Sequence, residues 1–130
     1  MLLISWHIGI VIRTWIPGIY DVMKDLKDRG YQLYCLTNWS HETFPIVKEV
    51  HARLFELFDG IVVSGEEKMV KPNPEIYNLL LGRYNLNASE SVFIDDRQRN
   101  VDGANQVGIQ GILFTGSNNL KEQLAHLSIL

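Results

Sequence analysis

Strand-length apolar runs alternate with segments of helical period along this chain, and that alternation constrains the fold most. The strand candidates are Tyr31–Leu36, Ile61–Val63, Val92–Ile94 and Ile112–Thr115. Ile61-Val62-Val63 is wholly apolar, as expected of a parallel strand covered on both faces. Between the runs, Ile19, Val22, Met23 and Leu26 recur at i, i+3, i+4 and i+7, and Gly30 suits a left-handed helix end. A second helix is expected from about Ser40 to Leu54. A third starts at Pro74, with Ile76, Tyr77, Leu80, Leu81 and Tyr84 on one face. A fourth runs from about Gln98 to near Gly108, and a last one carries Leu120, Leu124 and Leu127. This pattern predicts an α/β domain: a Rossmann-like, three-layer α/β/α core with a mainly parallel sheet and right-handed crossovers. Residues 1–15 read as an apolar N-terminal segment, either one strand or a bent pair, and residues 16–130 as the core domain.

In such sheets ligands bind beyond the carboxyl ends of the strands. Three polar groups fall there: Thr37-Asn38, Lys71 and Asp95-Asp96. Two adjacent carboxylates at the end of a buried strand raise each other's pKa unless a cation neutralises them. A hard divalent cation with oxygen ligands, typically Mg²⁺, does so. The plain alternative is that one Asp caps the next helix while the other faces water. Thr37 could likewise be a helix cap, and Lys71 a solvated loop charge. With a phosphate as ligand, each group has a use. Thr37 supplies a hydroxyl donor, Lys71 a compact positive charge, and Asp95 and Asp96 hold a metal that offsets charge on the phosphoryl group.

Composition excludes several other classes. The net charge of −3 leaves no footprint for nucleic acid or an anionic membrane. The apolar N-terminus is too short for a membrane span and lacks a basic leader region. The one cysteine, Cys35, lies in an apolar run and reads as a core residue, which suits a cytoplasmic location. His7, His41, His51 and His126 are scattered, without the spacing of a zinc site. A dinucleotide-binding domain needs a Gly-rich turn after its first strand, and none is present. A response-regulator receiver places its acidic pair before its Thr and Lys, whereas here the acidic pair comes last.

Leu36-Thr37-Asn38-Trp39-Ser40, then Lys71-Pro72-Asn73-Pro74-Glu75-Ile76-Tyr77, then Phe93-Ile94-Asp95-Asp96 with Asn100 and Gly103-Ala104, resemble motifs II, III and IV of the haloacid dehalogenase superfamily. The resemblance runs from about Ile16 to Leu130, and the acidic pair is similar to that of the phosphatase-type members. It implies Mg²⁺-dependent phosphoryl transfer from a small phosphorylated substrate through an aspartyl-phosphate. Thr37 and Lys71 would be catalytic and substrate-binding, with Asn38 beside Thr37 at the substrate edge; Trp39 reads either as lining a substrate pocket or as an aromatic packed under the loop. Asp96 would bind the metal directly, Asp95 directly or through water, and Asn100 would support the loop.

One motif departs from the family. Motif I is an apolar strand ending in Asp-x-Asp, whose first Asp is the nucleophile, and this chain has no Asp before Asp21. Asp21 and Asp25 lie on a predicted amphipathic helix and read as solvated charges. If Leu2–Ile12 takes the place of the motif I strand, it brings Ser5, His7 or Arg13 towards the site, none of which replaces both carboxylates. A chain without the nucleophile should be a poor enzyme. It is then a piece of a longer phosphatase, a vestigial domain that binds a phosphorylated ligand or a protein, or a site completed by a partner. An open apolar seam at the motif I position would favour self-association.

Overall fold

The computed structural model describes residues 3–4, 19–37, 52, 56–63, 67 and 73–129. Within them the chain forms β1 (Leu3–Ile4), α1 (Ile19–Asp28), β2 (Tyr34–Thr37), β3 (Gly60–Val63), α2 (Pro74–Arg83), β4 (Val92–Asp95), α3 (Gln98–Gln106), β5 (Gln110–Leu113) and α4 (Ser117–His126). The strands make one five-stranded sheet in the order β3-β2-β1-β4-β5, with every pair parallel. The centre of that sheet is taken by Leu3–Ile4 of this same chain. The expected boundary between residues 15 and 16 and the expected helix over Ser40–Leu54 lie outside the described residues, apart from a helical Ala52.

Strand alternation sorts the core into two sides. Val92 and Ile94 of β4 join Val22, Met23 and Leu26 of α1, Leu120 and Leu124 of α4, and Ile112 and Phe114. Phe93, between them, joins Tyr34, Leu36 and Val62 of the sheet, Ile76, Tyr77 and Leu80 of α2, Ala104 of α3, and Ile109. The result is three layers, with α1 and α4 on one face and α2 and α3 on the other, as the alternation predicted. Fully burying one such aliphatic side chain contributes about 1.5–3 kcal/mol, so these two clusters hold the layers together.

Local chemistry sets where the elements stop. Beyond α1, Gly30 adopts φ +91°. The Gly30 N–H donates to the Lys27 carbonyl and the Tyr31 N–H to the Leu26 carbonyl, the paired bonds of a Schellman helix end. Tyr31 is thereby used up in closing the helix, and β2 starts at Tyr34 rather than at Tyr31 as expected. Asp59 then ties the entry of β2 to that of β3. Its backbone N–H donates to the Leu33 carbonyl, its Oδ2 accepts from the Leu33 N–H at 2.8 Å, and Lys27 Nζ pairs with its carboxylate.

Two further expectations need correction. β5 covers Gln110–Leu113, not Ile112–Thr115, because the register with β4 is fixed upstream. The Gln110 N–H donates to the Ser91 carbonyl, and Val92 pairs with Gln110. An apolar-run reading misses a strand that opens on Gln-Gly. Leu127, expected within the last helix at helical spacing, is the C-cap of α4 and is exposed.

Gly111 is glycine because α3 crosses β5 at close range. A Cβ there would stand 2.6 Å from Val101 Cγ1, 2.8 Å from Asn105 Oδ1 and 3.0 Å from the Val101 carbonyl oxygen. The last is backbone and cannot swing aside. Gly111→Ala is therefore expected to destabilise the fold by about 1–3 kcal/mol, read as a lower urea midpoint with an unchanged m-value. An unchanged midpoint would mean that α3 is not seated on β5 this closely.

Candidate active site at the carboxyl edge of the sheet

The chain winds from β1 outward through β2 to β3, then returns to the other side of β1 for β4 and β5. The strand order therefore reverses between β1 and β4, where parallel α/β sheets open a crevice for ligands. Ile4 pairs with Cys35 on one side and with Ile94 on the other. Thr37 and Asp95 lie beyond those partners, at the carboxyl ends of β2 and β4. The two strands flanking β1 thus deliver Thr37 and Asp95 to the same edge.

Asp95 is fully buried, and the chain is folded around its carboxylate. Oδ1 accepts from the Arg97 N–H at 2.9 Å, a local turn that the short Asp side chain favours. Asn100 Nδ2 lies 3.3 Å from both Asp95 oxygens. The Asp95 carbonyl accepts from the Phe114 N–H at 2.7 Å, which anchors the strand end to β5. Each of these side-chain contacts is a donor aimed at the carboxylate. The side-chain cap expected as the plain alternative does not form at α3: its N-cap is Arg97, and no side chain caps it.

Asp96 is half-buried and follows at once on the bend between β4 and α3. Asn100 is buried in the first turn of α3. With its amide nitrogen committed to Asp95, its Oδ1 is turned inward and accepts no hydrogen bond. Tyr77, on α2, donates from its hydroxyl to the Asn100 carbonyl at 2.8 Å. Burial, then the charge of Asp95, pushes the Tyr77 hydroxyl well above the ordinary tyrosine pKa. Helical spacing places Tyr77 on the core face of α2, but nothing in the sequence shows that its hydroxyl reaches the site.

The structure does not bring every expected site residue into view. Asn38, Trp39 and Lys71 lie outside the described residues, and Thr37 is placed by its strand position alone. Asp21 and Asp25 are exposed on α1, Asp25 paired with Arg29 at 3.1 Å, consistent with solvated helix charges. Among the described residues, no third His, Cys, Asp or Glu joins Asp95 and Asp96 in a metal-binding cluster.

A Rossmann-like parallel sheet with an acidic pair at its switch point is the architecture of an α/β domain with a ligand crevice at the carboxyl edge of the sheet. The chain belongs to the haloacid dehalogenase-like hydrolases, whose family pattern matches residues 10–108. It is 36% identical over 97 residues to a sesquiterpene phosphatase of Aspergillus oryzae, covering 75% of this chain and 49% of that protein. The chain spans about half the length of the curated relatives it matches. A Corynebacterium glutamicum protein of solved structure superposes with a TM-score of 0.74 at 22% identity, over 95% of this chain and 92% of that one, and shows the fold. A haloacid dehalogenase family enzyme of Bacteroides thetaiotaomicron, solved as a mutant in complex with magnesium and inorganic phosphate, superposes with a TM-score of 0.66 at 26% identity, over 74% of this chain and 51% of that one.

Proposed function

We propose that this chain carries the core of a Mg²⁺-dependent phosphatase acting on a small phosphorylated metabolite. The observation that carries the reading is the buried Asp95, whose carboxylate accepts from the Arg97 N–H and the Asn100 amide, followed by Asp96 at the switch point of the sheet. The donor set fits the metal, because hard carboxylate oxygens at a strand end suit Mg²⁺ and would hold it through Asp95 and Asp96. When bound, Mg²⁺ would offset charge developing on the phosphoryl oxygens. The remaining work falls to side chains. Thr37 donates its hydroxyl to a phosphoryl oxygen, and Lys71 neutralises the phosphoryl group. Asn38 and Trp39 face the rest of the substrate, and Asn100 keeps Asp95 in place. The magnesium and phosphate held by the Bacteroides enzyme support the same ligands here.

A second reading is favoured by one sequence fact: no carboxylate precedes Asp21. On that reading the chain binds a phosphorylated ligand or a protein partner and turns nothing over. The phosphatase reading requires the metal site, so metal binding is tested first. Calorimetric titration of the chain with Mg²⁺, with and without inorganic phosphate, should show a single site. Mg²⁺ at about a hundred times its Kd should stabilise the fold by about 2.7 kcal/mol. Absence of both binding heat and stabilisation at millimolar Mg²⁺ would exclude the metal site and, with it, the phosphatase reading.

A further inference from the structure

Tyr77 is fully buried, and its ring meets Phe93 edge-on at 5.3 Å between centroids. A phenylalanine would make that contact equally well. A buried hydroxyl is unfavourable unless it is paired, so this one needs a reason. Its partner is the Asn100 carbonyl at 2.8 Å, in the first turn of α3. That carbonyl stands where an α-helix already bonds the amide four residues on. The Tyr77 hydroxyl therefore adds a second bond to a carbonyl that the helix serves anyway, and forms a strut from α2 to the start of α3.

What the strut holds is the Asn100 side chain. Both of its contacts to Asp95 are 3.3 Å long, beyond the usual range for such bonds, where a further shift of a few tenths of an ångström breaks them. The orientation of the Asp95 carboxylate is thus unusually sensitive to where the first turn of α3 sits. Arg97, whose N–H bonds Asp95 Oδ1, also accepts through its carbonyl from the Asn100 and Val101 amides. The turn and the carboxylate form one unit.

We propose that Tyr77 is a positioning residue for Asp95: its hydroxyl pins the first turn of α3, keeping the Asn100 amide on both Asp95 oxygens and setting the metal affinity of the acidic pair. The metal part of this inference rests on the reading of Asp95 and Asp96 as a Mg²⁺ site. The strut itself does not.

The test uses Tyr77→Phe in the full chain, with Tyr84→Phe as control, since Tyr84 stacks on Tyr34 at 4.7 Å in a separate aromatic contact. In the metal-free protein, NMR hydrogen exchange at the Arg97 and Asn100 amides should quicken at least about fivefold in Tyr77→Phe relative to amides of α1 and α4. By calorimetry the Mg²⁺ Kd should rise about tenfold in Tyr77→Phe, the scale of a lost partner behind a metal ligand, and stay unchanged in Tyr84→Phe. In an Asn100→Ala background, Tyr77→Phe should weaken Mg²⁺ binding no further, because the amide it positions is gone. Wild-type Mg²⁺ affinity in Tyr77→Phe would overturn the positioning role and leave Tyr77 as a structural contact. A further tenfold loss in the Asn100→Ala background would also overturn it, by showing a route that bypasses Asn100. Should the wild type bind no Mg²⁺, the metal reading fails on its own, and the exchange measurement still decides whether Tyr77 holds the turn.

Discussion

Replacing Ser5 and His7 with aspartate should raise Mg²⁺-dependent hydrolysis of p-nitrophenyl phosphate by at least about 10²-fold over the unmodified chain. β1 occupies the centre of the sheet, with β2 and β4 parallel on either side. Ser5-Trp6-His7 follows β1 directly in the chain and has the spacing of Asp-x-Asp. A serine hydroxyl without an adjacent base is a weak nucleophile at neutral pH, whereas a carboxylate can attack phosphorus and form the acyl phosphate. The second aspartate supplies the acid and base that the leaving group and water require. The unmodified chain should turn the ester over no faster than its Lys71→Ala variant. In the doubly substituted chain, Lys71→Ala should remove the gain. Two results would count against this account. One is Mg²⁺-dependent turnover by the unmodified chain that Lys71→Ala abolishes, which would place a nucleophile elsewhere. The other is a doubly substituted chain that folds and binds Mg²⁺ but gains no activity.

The layered fold was legible because it is written in periodicity. Alternating Val92, Phe93 and Ile94 divide between two clusters, and the helical spacings of α1 and α2 match the faces they bury. The family motifs marked Asp95, Asp96 and Asn100 as candidates. What stayed hidden depends on distance across the chain. The strut from Tyr77 to Asn100 joins residues on different helices, and a tyrosine in an apolar stripe looks the same whether or not its hydroxyl is used. Nothing in the sequence shows why Gly111 must be glycine; the reason is that α3 lies against it. The start of β5 is set by the Ser91 carbonyl rather than by any apolar residue of its own. Leu127 keeps helical spacing with Leu120 and Leu124, yet the helix ends before it can be buried.

The two acidic residues should separate cleanly when each is removed. Asp95→Ala and Asp96→Ala are both expected to weaken Mg²⁺ binding by at least about 10²-fold, since each deletes a hard oxygen ligand. Only Asp95→Ala should also damage the fold. It leaves the buried Asn100 amide and the Arg97 N–H without their acceptor, and an unsatisfied buried donor costs about 1–3 kcal/mol. The expected total is about 2–3 kcal/mol, or roughly 10 °C in Tm for a domain of this size. Asp96 is half-buried on the bend. Its removal takes away one of two neighbouring like charges in the metal-free protein, and stability should change by less than about 1 kcal/mol. Thermal melts in EDTA measure the fold term alone, and melts in excess Mg²⁺ add the metal term. In EDTA the two variants should differ by most of the 2–3 kcal/mol, whereas Mg²⁺ should stabilise the wild type and neither variant. Equal melting of Asp95→Ala and wild type in EDTA would show that the donors around Asp95 find water instead, and that its burial contributes nothing to holding α3 on β4.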